Sequence, residues 1–143
     1  MRISDVLASK GSASVQTINP EATLQQLVDL LVEHRIGAAV VSDDGEHVLG
    51  IISERDVVRA LAGGQSALDA SVGDVMTVDV YVGEPEDSME DLMRAMTDRR
   101  IRHVPVLRNG RLAGLVSIGD AVKARMSDLE FERDQLNTYV RGG

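Results

Sequence analysis

A seven-residue motif occurs twice in the chain, at a spacing of 64 residues (114 − 50). The first copy, residues 50–56, reads Gly-Ile-Ile-Ser-Glu-Arg-Asp, and the second, residues 114–120, reads Gly-Leu-Val-Ser-Ile-Gly-Asp. Upstream, apolar residues of 24–36 match those of 89–101 at an offset of 65. Self-similarity at a fixed period indicates a fold built from repeated units. The sequence therefore predicts two matching units.

Each unit is expected to follow the order strand, helix, strand, strand, helix. Apolar residues at helical spacing predict one helix from Thr23 to about Arg35 and its counterpart from Ser88 to about Arg100. Thr23 and Ser88 stand at the positions of N-terminal caps, because a hydroxyl there accepts a hydrogen bond from a free backbone N–H. The predicted fold class is α/β of the α+β kind, with two β-α-β-β-α repeats related by a pseudo-twofold axis.

Turn signals divide the apolar runs that follow these helices. Asp44-Gly45 and Asn109-Gly110 each predict a hairpin, since both dipeptides favour tight turns. The first repeat is predicted to span residues 1–64 and the second residues 72–126, with residues 65–71 as the linker.

The remaining residues, 127–143, are predicted to extend the last helix to about Val140. Apolar side chains recur along this helix at an alternating spacing of four and three, interrupted by Arg133; they are Val122, Met126, Leu129, Leu136 and Val140. Two interpretations remain open. The helix packs along its own domain, or its apolar stripe forms a contact between subunits.

Composition excludes several classes of protein. The chain of 143 residues has no cysteine, which excludes disulfides and thiolate metal sites, and its net charge of −8 argues against general nucleic-acid binding. It has no apolar run long enough to cross a membrane, and its N-terminus lacks the apolar core of a signal peptide, so a cytoplasmic location is expected. His34 and His47 are isolated in the sequence and lack metal-ligand spacing, so both are expected to be surface residues.

The motif ends in Ser53 and Asp56 in one unit and in Ser117 and Asp120 in the other, where a strand meets a helix. One interpretation is ordinary capping of the helix. The other is a ligand site, because free N–H groups attract phosphate and a carboxylate can accept hydrogen bonds from ribose hydroxyls. Capping does not require glycine, serine and aspartate at fixed offsets, so the repetition favours a ligand.

The densest basic cluster comprises Arg99, Arg100, Arg102 and His103. The first two compensate the dipole of a helix C-terminus. Arg102 and His103 lie beyond that helix and are predicted to form a cationic pair that faces an anion. Their counterparts in the first unit, Gly37 and Ala38, carry no charge, so the two predicted sites are unequal.

On these residues the chain resembles the tandem cystathionine-β-synthase (CBS) domain pairs, or Bateman modules. The segments 74–77 and 101–106 also look like that family, and the resemblance covers residues 3–126. It is similar to stand-alone bacterial CBS-pair proteins with a C-terminal helix. The resemblance implies two clefts between the repeats that bind adenosyl ligands: AMP, ADP, ATP, S-adenosylmethionine or sometimes NAD. It implies no catalytic residue, metal or cofactor.

The resemblance also assigns residues to each cleft. Asp56 and Asp120 would bind ribose hydroxyls, with Ser53 and Ser117 near ribose or phosphate. The Asp56 cleft would add Thr77, Val78, Asp79, Arg102 and His103. The Asp120 cleft would add Ser12, Ala13, Ser14, Gly37 and Ala38. Because Gly37 and Ala38 carry no charge, this cleft would either hold adenosine weakly or recruit Arg55 or a residue of a partner chain.

The sequence is therefore interpreted as a non-enzymatic adenine-nucleotide sensor that signals to an unknown protein partner. The resemblance and the apolar stripe predict a homodimer. A constitutive oligomerisation or adaptor module without a physiological ligand is the alternative. An enzyme is disfavoured, because no nucleophile elbow, phosphate-binding loop or converging acid–base set is present.

Overall fold

The computed structural model describes residues 1–10 and 15–142. The elements, in chain order, are α1 (Ile3–Ser9), β1 (Thr17–Ile18), α2 (Leu24–His34), β2 (Ala38–Val41), β3 (Gly50–Ser53), α3 (Glu54–Leu61), a 3-10 helix (Gln65–Asp69), α4 (Val72–Val75), α5 (Met89–Arg99), β4 (His103–Arg108), β5 (Arg111–Ser117) and α6 (Ile118–Val140). This order confirms the predicted α+β fold of two repeats.

The repeats form two small sheets. In the first, β2 pairs parallel with β1 and antiparallel with β3, and in the second β4 pairs antiparallel with β5. The second repeat was expected to have a first strand of its own. That strand is reduced to Gly83, which forms a parallel bridge to Val106 through its backbone, as Ile18 does to Val41 65 residues earlier.

The predicted helix boundaries are confirmed by their caps. The Thr23 hydroxyl accepts a hydrogen bond from the Gln26 N–H at 3.1 Å, and the Ser88 hydroxyl accepts from the first turn of α5. Each helix ends at an arginine in the left-handed conformation, Arg35 with φ 53° and Arg100 with φ 55°. Non-glycine residues seldom adopt this conformation, and its recurrence at equivalent positions is further evidence for the repeat.

Both predicted hairpins form, but their loops differ in length. Asn109 and Gly110 both have positive φ and close a tight turn between β4 and β5, as predicted. The hairpin predicted at Asp44-Gly45 also forms, since β2 pairs antiparallel with β3, but its loop is longer than two residues. In that loop the buried Ser42 hydroxyl accepts a hydrogen bond from the Gly45 N–H at 3.0 Å and donates to Asp44. These local side-chain bonds compete with a two-residue turn.

The short helices α1 and α4 exchange partners between the repeats. Ile3 and Val6 of α1 are buried in the core built by α5, β4 and β5, whereas Val72 of α4 is buried in the core built by α2, β2 and β3. Matching backbone hydrogen bonds fix the exchange: Ser4 N–H donates to the Pro85 carbonyl, and Gly73 N–H to the Pro20 carbonyl, both at 2.8 Å. Each packed core therefore contains residues of both sequence units.

The last helix, α6, ends at Val140 as predicted. Ala121 is buried near its start, but the residues from 129 to 142 are all exposed. The interpretation in which the whole helix packs along its own domain is therefore wrong for the distal half. The single chain leaves the apolar stripe in water.

Candidate functional site

A cavity of about 170 Å³ lies where α3 begins. Three parts of the chain form its walls: the strands and helix of the first repeat, residues 77 and 79–81, and the junction of α5 with β4. The lining residues are Gly37, Ala38, Ile51, Ser53, Glu54, Arg55, Asp56, Arg59, Thr77, Asp79, Val80, Tyr81, Arg100, Ile101, Arg102 and His103. A molecule bound there would contact both repeats.

Asp56 is fixed at the first turn of α3. Its Oδ2 accepts hydrogen bonds from the Ser53 backbone N–H at 2.8 Å and from the Ser53 hydroxyl at 3.2 Å. Its Oδ1 faces the Arg59 guanidinium at the longer distance of 4.0 Å. Helix capping and a ligand site are thus compatible, because capping uses Oδ2 and leaves Oδ1 as the less committed acceptor.

Charge around the cavity is locally cationic although the chain is acidic. Its lining includes four arginines, Arg55, Arg59, Arg100 and Arg102, against three acidic residues, Glu54, Asp56 and Asp79. Guanidinium groups are well suited to phosphate, because their donors match its oxygens in pairs. The walls therefore offer carboxylate acceptors beside a larger group of anion-binding arginines.

His103 is a neutral group in this environment. Burial lowers its pKa from 6.5, and the nearby guanidinium of Arg102 and ammonium of Lys10 act in the same direction. The carboxylates of Glu54 and Asp120 oppose this shift without overcoming it. The predicted cationic pair is thus wrong for His103, since the imidazole is uncharged at neutral pH and contributes a hydrogen-bonding ring.

Three predicted site residues lie elsewhere than expected. Gly37 and Ala38 were assigned to the Asp120 cleft, but both line the cavity at Asp56. Their strand runs beside β3, so that Ala38 pairs with Ser53. Val78 is 69% exposed and is absent from the cavity lining. Ser12, Ala13 and Ser14 lie outside the described residues.

At the second motif, Asp120 is paired within the chain. Its Oδ2 accepts from the Lys10 ammonium at 2.8 Å and from the Ser117 N–H at 2.9 Å, and Lys10 also donates to the Leu115 carbonyl at 2.7 Å. Burial alone would raise the pKa of Asp120. The bonds from Lys10 and Ser117 outweigh burial, and the pKa is lowered.

Several lining residues were missed by sequence reasoning. Arg59 lies one helical turn after Asp56, so its place could have been read from helical spacing. Arg100 was assigned only to the helix dipole, although its left-handed backbone lies at the cavity wall. Tyr81 lines the cavity and carries the Arg99 guanidinium 4.5 Å from its ring centroid. Lys10 had no sequence signal, because its partner is 110 residues away.

A separate group of possible metal ligands, Asp44, Glu46 and His47, lies in the exposed β2–β3 loop. The His47 backbone and ring hold the pKa of Asp44 well below its usual range, and Asp44 in turn raises the pKa of His47. His47 is exposed, as expected, and its Nδ1 lies 2.6 Å from Asp44 Oδ2. Hydrogen bonds inside the loop account for this arrangement without an ion.

Known proteins share this architecture. The CBS domain profile matches residues 3–63 and 72–127, and the chain belongs to the CBS domain family as a tandem pair. The mitochondrial CBS domain-containing protein CBSX3 of Arabidopsis thaliana is 38% identical over 99% of this chain and 72% of its own length. A CBS-domain protein of Agrobacterium tumefaciens is 45% identical, with a TM-score of 0.83 over 87% of this chain and 99% of its own.

A more distant structure contains a ligand. A CBS domain protein of Pyrobaculum aerophilum in complex with AMP is 28% identical, with a TM-score of 0.73 over 84% of this chain and 89% of its own. Among the helices described for the present chain, none is long and apolar enough to cross a membrane.

Proposed function

We propose that this protein is a regulatory module that binds an adenine nucleotide in the cavity at Asp56 and signals its presence to a partner. The observation that carries the proposal is that Asp56 and four arginines line one cavity between the repeats. An adenosine phosphate requires this combination of an acceptor for its ribose hydroxyls and donors for its phosphate. The AMP complex of the Pyrobaculum relative supports it.

Asp56 Oδ1 would accept the ribose hydroxyls, and Arg100 and Arg102 would bind phosphate oxygens. The apolar part of the cavity, formed by Ile51, Val80 and Ile101, suits the adenine ring. No set of nucleophile, general base and oxyanion donors is assigned to this cavity, so binding without turnover is proposed.

Signalling would follow from the position of the ligand. It would bridge the first repeat at α3 to the second at β4, and would stabilise the arrangement in which both contact it. α6 follows β5 directly, and we propose that a change at the repeat interface is passed through this junction to the exposed apolar stripe. We propose that this stripe forms a homodimer, because apolar patches of this length are rare on monomers.

The stripe also supports a second candidate, a constitutive oligomerisation module without a ligand. Mass spectrometry of small molecules released from the purified protein on denaturation separates the two. The sensor predicts an adenine nucleotide or related adenosyl compound, retained by wild type and depleted in Asp56→Ala. Equal recovery from both proteins would contradict binding at Asp56. A protein that carries and binds none would favour the constitutive module.

A further inference from the structure

The two motif aspartates differ in what faces their carboxylates. Asp120 forms a 2.8 Å ion pair with Lys10, whose side chain is 35% exposed while that of Asp120 is 22% exposed. The cation beside Asp56 is Arg59, at 4.0 Å and with its side chain 78% exposed. Asp120 is thus neutralised by a directly hydrogen-bonded cation, whereas Asp56 faces the cavity beside a more distant and more exposed one.

The different surroundings of Asp56 and Asp120 follow from the unequal lengths of two short helices, α4 near Asp56 and α1 near Asp120. α4 ends at Val75, and the following backbone pairs Thr77 with Ile51 of β3. α1, its counterpart, continues to Ser9. At the 64-residue period, the Leu115 carbonyl corresponds to the Ile51 carbonyl. The Ile51 carbonyl accepts from the Thr77 backbone N–H, whereas the additional turn of α1 brings the Lys10 side chain to the Leu115 carbonyl.

Alignment of the two repeats also shows that the clefts differ in charge. Residues 4–7 match residues 73–76 at an offset of 69, and this offset aligns Lys10 with Asp79. Asp79 lines the cavity at Asp56 and adds negative charge there. The two clefts therefore carry opposite charges at matching positions, a lysine beside Asp120 and a carboxylate on the side of Asp56.

We infer that Lys10 closes the Asp120 cleft to adenosyl ligands, so that each chain takes one such ligand, in the cavity at Asp56. A ribose diol binds a carboxylate through two neutral hydroxyls. Lys10 and the Ser117 N–H both use Asp120 Oδ2, so among the described residues Oδ1 accepts no hydrogen bond there, as in Asp56. The difference is the Lys10 ammonium, whose positive charge weakens the whole Asp120 carboxylate as an acceptor for neutral hydroxyls. A ligand that needs the uncompensated carboxylate would have to displace the ammonium from both Asp120 and Leu115. This inference rests on the proposed function, since it concerns the same class of ligand.

Titration calorimetry with AMP tests the inference through the number of sites per chain. Wild type should bind one AMP, and Asp56→Ala should leave no second site of similar affinity. Lys10→Gln should bind two, and Lys10→Gln combined with Asp120→Ala should return to one. The control is Lys123→Gln, which removes the only other lysine of the chain, on exposed α6, and should bind one.

Two AMP per wild-type chain would overturn the inference and leave the proposed function intact. A folded Lys10→Gln variant that binds only one would do the same. If Lys10→Gln does not fold, the Asp56→Ala variant still decides, because a remaining AMP site there contradicts a closed Asp120 cleft. No AMP bound to wild type, with no other adenosyl ligand bound either, would instead contradict the proposed function itself.

Discussion

The imidazole of His103 lies against the backbone of Gly37. A Cβ atom placed on Gly37 would be 3.5 Å from both Cε1 and Nε2 of that ring, and equally 3.5 Å from Oε1 of Glu54. The second repeat therefore contacts the first at the cavity wall through a titratable ring. The ring is held in its neutral form mainly by burial.

His103 should make stability depend on pH. Its pKa is lower in the folded chain than the ordinary 6.5, so the unfolded chain binds the proton more tightly. The contribution of neutral His103 to the unfolding free energy is fully present above the pKa of the unfolded chain. It is lost as the pH falls toward the lower pKa of the folded chain. Between about pH 7.5 and 5.5, wild type should therefore lose more unfolding free energy than His103→Gln.

Urea denaturation at both pH values measures this difference. His34→Gln, at an exposed position near the end of α2, is the control and should follow wild type. The opposite shift of His47 is present in all three proteins and cancels. Parallel pH profiles for wild type and His103→Gln would contradict a buried neutral imidazole.

The two motif aspartates should differ in their effect on ligand affinity. Asp56→Ala should weaken AMP by about 1.5–3 kcal/mol, roughly 10- to 150-fold in Kd, because it removes the proposed ribose acceptor. Asp120→Ala should change affinity by less than about threefold, since that carboxylate is paired with Lys10. Calorimetry on the two variants gives the comparison. Equal losses would show that the ligand does not distinguish the clefts.

The motif glycines should tolerate alanine unequally. A Cβ on Gly50 would lie 2.7 Å from the backbone carbonyl of Thr77 and 2.6 Å from Sδ of Met76, whereas on Gly114 it would meet only the tip of Leu7, at 2.6 Å. A side-chain tip can rotate away more easily than a paired backbone. Gly50→Ala should cost about 1–3 kcal/mol and Gly114→Ala less. Equilibrium denaturation in urea compares them, and the reverse order would be evidence against this packing.

The apolar stripe of α6 should determine self-association. We expect full-length protein to sediment as a dimer, and either truncation after Met126 or Leu136→Glu to weaken the dimer. Leu136 is 63% exposed in the single chain; Val32→Glu, at a 73% exposed position on α2, is the matched control. A monomeric full-length protein would rule out the dimer. Truncated protein that dimerises as tightly would assign the contact to other helices.

Local sequence signals predicted much of the fold. Thr23 and Ser88 mark helix starts and Asn109-Gly110 marks a turn, because each acts through neighbouring backbone groups. The repeat predicted the family, which the profile match confirms. Asp44-Gly45 marks a hairpin that forms, but its loop is longer than a two-residue turn because Ser42, two residues earlier, supplies competing hydrogen bonds.

Contacts between residues that are distant in the sequence could not be predicted from local signals. The ion pair of Lys10 with Asp120 and the burial of His103 depend on packing between distant segments, and no local pattern encodes them. Gly37 and Ala38 were assigned to the other cleft for the same reason. The cytoplasmic location, the repeat boundaries, the absence of turnover and the ligand roles of Ser53, Arg55 and Thr77 stay predictions.

Thermal unfolding with and without an adenine nucleotide tests the central claim most directly. At 100 times its Kd, a ligand that binds only the folded chain adds about 2.7 kcal/mol of stability, which raises the Tm by several degrees in a chain of this size. We predict this shift for at least one of AMP, ADP, ATP, NAD and S-adenosylmethionine, and its loss in Asp56→Ala. An unchanged wild-type Tm with all five at millimolar concentration would contradict the account.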